Sequence, residues 1–404
     1  MEKQLKSVWQ RSDDLQYKSI DDNMACDVVV IGGGLVGQLS AYFLSEKGYD
    51  VTLVEAKRIM SGTTVKTTAT ITSQQGMIYG DIAKKYGLDI ARKYWQAQED
   101  GIAQYLALIE KHSIQCDFQL VDGYFFTQKR DISSFTSELE TLRNIGAELE
   151  FMPSIPQLPF EVTAAVKQKN QAQFDVIKFL SKLPREYTIF ENSRVTKLDL
   201  KNCIAYANGF KISAQKIVVA TQYPIINKCN LLLSKMYQSM TYASAFVGCD
   251  DIGGIFNDDN EDGITLRNFN NMLIVGGADH RTGRKEENCL DKLEVVAKKM
   301  SKDARLVTSW LGEDVATYDH MPLVGRLKKH GGNVLVATGF NKWGMSNAIA
   351  SANLVCDLVC EKQNKYQKVF DLHRKYRLHN MKCCIKNMSV AIARMTKSWC
   401  YYPL

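Results

Sequence analysis

Asp27-Val-Val-Val-Ile-Gly-Gly-Gly-Leu-Val-Gly37, continued by Gln38-Leu-Ser-Ala-Tyr-Phe-Leu-Ser-Glu-Lys-Gly48 and Tyr49-Asp-Val-Thr-Leu-Val-Glu55, reads as strand, glycine turn, amphipathic helix and second strand. This is the order of a dinucleotide-binding unit. Val28 to Ile31 deliver the chain to a turn where Gly32 permits the bend, Gly34 lets backbone approach a pyrophosphate, and Gly37 lets the helix pack close to the sheet. The helix start then offers free N–H groups and a partial positive charge. Glu55 ends the second strand where an acidic side chain meets a ribose 2′-hydroxyl, which disfavours a 2′-phosphate there. Three spaced glycines alone are a weak signal, but here the strand before, the helix after and the terminal acid agree.

Outward from this unit, Lys57 to Ser73 is rich in Gly, Ser and Thr, yet too apolar for a linker, and reads as a binding loop. Helical spacing runs from Asp81 to His112 and again near Ser133 to Ile145, with a strand at Gly123 to Thr127 between them. The Pro-rich segment Met152 to Pro159 marks a crossing between domains. A helix is expected at Ala172 to Leu183, strands at Tyr187 to Glu191 and Arg194 to Gly209, and a buried strand at Lys216 to Thr221. Ser239 to Arg284 alternates like an antiparallel sheet, and a helix covers Glu286 to Met300. Asn333 to Ser346 is again strand, glycine loop and helix start. Strand-to-loop units at Ile31, Ala220 and Thr338 imply an α/β cofactor domain assembled from separated segments, with a cofactor larger than NAD.

At 404 residues, 45% of them hydrophobic and 24% charged, the chain is expected to form two domains. No apolar run approaches the ~18 residues of a membrane span, and the first stretch is polar, so a cytoplasmic protein without a secretory signal is expected. Eleven scattered cysteines fit reduced thiols. No metal site is expected, because Cys356 and Cys360, and the adjacent Cys383 and Cys384, lack histidines at zinc-site intervals. Residues 361–404 hold ten Lys or Arg against Glu361 and Asp371, which leaves the rest of this +7 chain near neutral. There Ile385, Met388, Ile392, Met395 and Trp399 form one apolar stripe, so residues 381–404 read as a basic amphipathic helix. It either packs on its own protein or makes a peripheral contact with a partner or surface. Nucleic-acid binding is not expected, since no aromatic platform accompanies the basic residues.

The chain resembles the glycine oxidase and D-amino-acid oxidase family of FAD-dependent amine oxidoreductases. The resemblance rests on Val28 to Gly37, Ser61-Gly-Thr-Thr-Val-Lys-Thr-Thr68, Val218-Val-Ala-Thr221, Val275-Gly-Gly277, Met321-Pro-Leu-Val-Gly325, Ala337-Thr-Gly-Phe340 and Gly344-Met-Ser346. Tyr318-Asp-His-Met-Pro322 and Thr338-Gly-Phe-Asn-Lys-Trp-Gly-Met345 are similar to a bacterial branch that carries a C-terminal Rieske domain. No Cys-x-His with a second Cys-x-x-His follows here, so an iron–sulfur acceptor is expected on a separate protein or not at all.

The resemblance implies a discontinuous Rossmann-type FAD-binding domain of the D-amino-acid oxidase type, from residues 1–80, 153–235 and 301–380. A smaller α+β substrate domain with an antiparallel sheet follows from residues 81–152 and 236–300. The cofactor is noncovalent FAD, since cysteinyl-flavin members carry Cys near Ala316 and Thr317. Its implied contacts are Gly32, Gly33, Gly34, Val36, Gly37, Glu55, Ala56, Thr63, Thr64, Thr67, Thr68, Val195, Ala220, Thr221, Gly339, Phe340, Gly344, Met345 and Ser346. The implied reaction moves hydride from the α-carbon of a primary or secondary amine or amino acid to flavin N5, leaving an imine that water hydrolyses.

Arg267 is the candidate carboxylate partner, as a guanidinium can bind it bidentately. His320 and Lys342 are candidates to position substrate or assist oxygen, with Lys66 a further cation and Tyr318 and Trp343 candidate pocket walls. Two other readings stay open. One is a dehydrogenase passing electrons to a separate iron–sulfur or quinone acceptor instead of O2; the other is a flavin-binding subunit without turnover.

Overall fold

The computed structural model describes residues 6–9, 16–226, 232–260, 263–284, 286–328 and 330–375, and builds two sheets from them. In the first, Met24–Ile31 runs parallel between Phe210–Val219 and Val51–Val54, with Ile31 beside both Val219 and Val54. Val334–Thr338 and Thr188–Phe190 extend the parallel array on either side, and Leu323–Arg326 closes one edge antiparallel. Val28, Val29 and Val30 are fully enclosed. That is why the run is continuously β-branched rather than alternating: a parallel strand buried on both faces has no wet side. The strands therefore deliver four loops, after Ile31, Val54, Val219 and Thr338, to one end of the sheet.

The helix Leu35–Ser45 follows the first of these loops and packs against Gly344–Val359, which also lies on Leu88–His112. The second sheet takes the strands Arg305–Thr317, Met236–Val247, Met272–Arg281, Thr265–Phe269, Gly254–Asp258, Gln119–Thr127, Ala164–Gln173 and Thr70–Ile71 in that order. Its pairs are antiparallel except Gly254–Asp258 with Gln119–Thr127.

Several expectations need correction. Ala172 lies in the strand Ala164–Gln173; the helix begins only at Val176, where Asp175 caps it by accepting from the N–H groups of Ile177 and Lys178 at 2.9 Å each. The helical block from Asp81 to His112 is two helices, Tyr79–Tyr86 and Leu88–His112, divided at Gly87, whose φ of +96° a side chain would resist. Thr70–Ile71, Ala164–Gln173 and Arg305–Thr317, read with the FAD-binding segments, pair in the second sheet. The basic helix expected over residues 381–404 lies outside the described residues.

One buried ion pair ties the end of the described chain to the active-site side. Arg374 meets Asp319 through two nitrogens, Nε to Oδ2 at 2.5 Å and Nη2 to Oδ1 at 2.7 Å, and Asp319 has no exposed side-chain surface. Tyr86 donates to the same carboxylate at 2.9 Å. The pair fixes the turn that presents His320. Arg374→Ala would strand a buried carboxylate, so a urea melt should show a loss of about 3–5 kcal/mol; an unchanged midpoint and slope would remove this pair from the fold's supports.

Candidate active site

The turn after Met24–Ile31 is shaped by contacts too close for side chains. Gly32 has φ +113°, and a Cβ there would sit 2.5 Å from the carbonyl oxygen of Ala220; a Cβ on Gly37 would sit 1.8 Å from the carbonyl oxygen of Gly32. Strand, turn and helix thus interlock only as glycines. The Glu55 carboxylate closes the turn from the next strand, accepting from the N–H of Gly33 at 2.7 Å and of Lys57 at 2.8 Å. Thr64 Oγ1 accepts from the Leu35 N–H at 3.0 Å, which docks the Thr-rich loop on the start of the helix.

From this turn a cavity of about 1430 Å³ runs to the second sheet. It exceeds the roughly 300–1,000 Å³ of an ordinary small-molecule site. Gly32, Gly34, Val36, Glu55, Ala56, Val195, Ala220 and Thr221 line one end, Thr63, Thr64, Lys66, Thr67 and Thr68 line the middle, and Phe340, Trp343, Gly344 and Met345 line the wall beneath the last long helix. Gly33, Gly37, Gly339 and Ser346 do not line the cavity. Ser346 Oγ donates to the Thr72 carbonyl at 3.2 Å and accepts from Gln75 Nε2 at 3.0 Å. Gln75 in turn reaches Gln98, and its Oε1 accepts from Tyr94 OH at 2.6 Å. This buried polar network holds the N-terminus of Gly344–Val359 against the cavity, where its free N–H groups suit an anion.

His320 and Lys342 both face the cavity, and both have left-handed backbone, at φ +64° and +70°. Such strain concentrates where structure fixes a functional side chain. His320 Nε2 lies 3.4 Å from Asp81, and Lys342 pairs with Asp279. Asn341 props the turn under Lys342, accepting from the Thr317 N–H at 2.7 Å and donating to the Gly339 carbonyl at 2.8 Å. Tyr318 lies off the cavity.

Arg267 is a correction. It is 1% exposed and does not line the cavity; its Nη1 donates to the carbonyls of Thr68 at 2.9 Å and Ala69 at 2.7 Å. Nη1 thus faces the back of the Thr-rich loop and Nε donates to the Asn268 carbonyl at 3.3 Å, which turns the guanidinium away from a substrate carboxylate in the cavity.

What the sequence reading missed is an acidic end to the cavity, where Asp258, Asp279 and Asp314 line the wall with Thr241, Tyr242 and His280. Thr241 donates to Asp314 at 2.9 Å, and Tyr242 OH meets His280 Nε2 at 3.1 Å. One oxygen of Asp279 has no partner among the described residues. Burial pushes the Asp314 carboxyl up to about 6, with Asp279 adding to the rise and Thr241 and Lys342 opposing it. Burial pushes Asp258 to about 6 as well. A carboxylate inside an otherwise apolar strand, as in Gly312-Glu-Asp-Val-Ala-Thr317, was the available signal.

The family profile of the FAD dependent oxidoreductases matches residues 27–358. The chain belongs to this family. It is 28% identical over 382 residues to YhfW of Bacillus subtilis (strain 168), named for a Rieske 2Fe-2S iron-sulfur centre, covering 90% of this chain and 75% of that protein. The fold is similar to glycine oxidase from Geobacillus kaustophilus, with TM-score 0.74, 16% identity, and coverage of 87% of this chain and 100% of the other. It is also similar to L-proline dehydrogenase from P. horikoshii, with TM-score 0.73, 19% identity, and coverage of 89% and 98%. The chain is thus an FAD-dependent oxidoreductase. Its cavity fits that cofactor: the turn is free of side chains where a pyrophosphate would approach, a carboxylate stands at the ribose end, and no described cysteine lines the wall to bond the flavin.

Asp314 supplies a test of the acidic end. Its folded pKa lies above its unfolded one, so the stability carried by its protonated form is full below about pH 4 and lost as pH rises through about 6. Flavin-free Asp314→Asn should be more stable than wild type at pH 8 by up to about 3 kcal/mol, and equal to it at pH 4. A difference that does not change with pH would show that Asp314 is not desolvated.

Proposed function

We propose that this chain oxidises a primary or secondary amine, or an amino acid, recognised chiefly by its cationic nitrogen. The reading is carried by the continuity of one cavity from the glycine turn at Gly32 to Asp279 and Asp314. With Arg267 turned away, Asp258, Asp279 and Asp314 line the cavity alongside Arg281 and Arg284, and Lys342 is already paired with Asp279. An incoming ammonium would meet the carboxylates of Asp279 and Asp314 on the cavity wall, and Asp314, titrating near 6, would take its proton at a carboxylate oxygen so that the nitrogen is neutral for oxidation. FAD, held at the Gly32 turn and along the Thr-rich loop, would supply the acceptor for hydride from the α-carbon. His320 and Lys342 would orient the substrate, and the N-terminus of Gly344–Val359 would favour negative charge on the cofactor.

A second reading concerns the acceptor. The likeness to YhfW, a protein named for an iron–sulfur centre, supports transfer of electrons to an iron–sulfur acceptor rather than to O2.

Anaerobic addition of simple amines, N-methyl amino acids and amino acids to the yellow protein should bleach the flavin within the amine classes, and Asp279→Asn should slow bleaching by at least tenfold. Slow recolouring in air would favour the iron–sulfur acceptor and fast recolouring an oxidase. Wild-type protein with bound FAD that no member of the panel bleaches would overturn the reading in favour of a subunit without turnover.

A further inference from the structure

Four consecutive carbonyls of the Thr-rich loop are each held by a side chain from elsewhere in the chain. Trp310 Nε1 donates to Lys66 at 3.2 Å, Trp9 Nε1 to Thr67 at 2.6 Å, and Arg267 Nη1 to Thr68 and Ala69 at 2.9 and 2.7 Å. None of these three donor residues lines the cavity, whereas Lys66, Thr67 and Thr68 do. The carbonyls therefore point away from the cofactor, and the opposite side of the segment meets it.

The donors also support one another. The Arg267 guanidinium lies 5.5 Å from the Trp9 ring centre and 5.7 Å from that of Phe269, and the two rings are 4.6 Å apart. Trp9 is 2% exposed although it precedes the first strand by fifteen residues. The same leader reaches the other end of the loop, because the Glu191 carboxylate accepts from the N–H groups of both Tyr17, at 3.4 Å, and Ile59, at 2.8 Å.

We propose that Trp9 and Arg267 together form a strap that sets the conformation of the cofactor loop, as positioning residues for FAD. If a peptide between Lys66 and Ala69 turned over, its carbonyl oxygen would face the cavity and repel the phosphates or the flavin carbonyls. Indole and guanidinium donors on the far side make that turn cost a buried hydrogen bond. The same contacts account for a fully buried arginine without calling on substrate. The inference rests on the family's cofactor and not on the amine reading.

The test compares Trp9→Phe, which keeps the ring and removes the N–H, with Arg267→Lys and Arg267→Met. Each is stripped of flavin and titrated with FAD by fluorescence quenching, and the melting temperature of the flavin-free protein is measured in parallel. Loss of one such bond should raise the FAD Kd about tenfold and quicken FAD release, with Arg267→Met worse than Arg267→Lys and the melting temperature of flavin-free Trp9→Phe close to wild type. A wild-type FAD Kd and release rate in Trp9→Phe would overturn the proposal, whether or not the protein melts lower, because the contacts would then serve the fold alone. Should Arg267→Met fail to fold, Trp9→Phe still decides.

Discussion

The structure depends on a steric constraint at one turn. The Gly32 carbonyl lies where a Cβ on Gly37 would be, and the Ala220 carbonyl lies where a Cβ on Gly32 would be. The strand Met24–Ile31, its neighbour Phe210–Val219 and the helix Leu35–Ser45 can reach this separation only with hydrogen at both positions. That closeness brings the helix N-terminus, the Glu55 carboxylate and the loops after Val219 and Thr338 to one end of the sheet. The remaining elements extend from this end. The Thr-rich loop docks through Thr64, and the helix Gly344–Val359 lies on Leu35–Ser45 with its N-terminus facing the cavity.

The second sheet then completes the cavity in two ways. Its strands supply the polar far end, where Asp314 meets Thr241 and Asp279 meets Lys342. They also support the cofactor loop from behind, through Arg267 and Trp310. On the proposed reading, the same sheet would govern the substrate region directly and the cofactor region indirectly. A residue such as Arg267 can matter to a flavin it does not touch, because it fixes the backbone that does touch the cavity. The buried Gln75, Gln98 and Tyr94 network plays a comparable part beneath the helix start.

The glycine unit was legible because strand, turn, helix and acid lie within about thirty residues and their spacing is local physics. The family resemblance extended this reading along the chain, since the loops after Ala220 and Thr338 also carry short motifs. Arg267 was misread for a definite reason: period-two alternation places a side chain on one of two faces but cannot say what covers each, and its partners Thr68 and Ala69 are 199 and 198 residues away. The strand Ala164–Gln173 was missed because its Ala, Gln and Lys content has little intrinsic strand preference; pairing with Gln119–Thr127 holds it. The acidic end was invisible for the same kind of reason, as Asp279 and Asp314 come together only through the register of distant strands. Trp9 gave no signal, being one of two isolated aromatics, with Tyr17, in a polar segment.

The central claim is that one cavity holds both halves of FAD, with the adenosine half at the Gly32 turn. Titration of the flavin-free protein with FAD, FMN and NADH tests it most directly. One FAD per chain is expected, with FMN weaker by at least about a hundredfold because it lacks the half that the turn and Glu55 would hold, and with no competition from NADH. Equal affinity for FMN and FAD, or tight NADH binding at the same site, would contradict it.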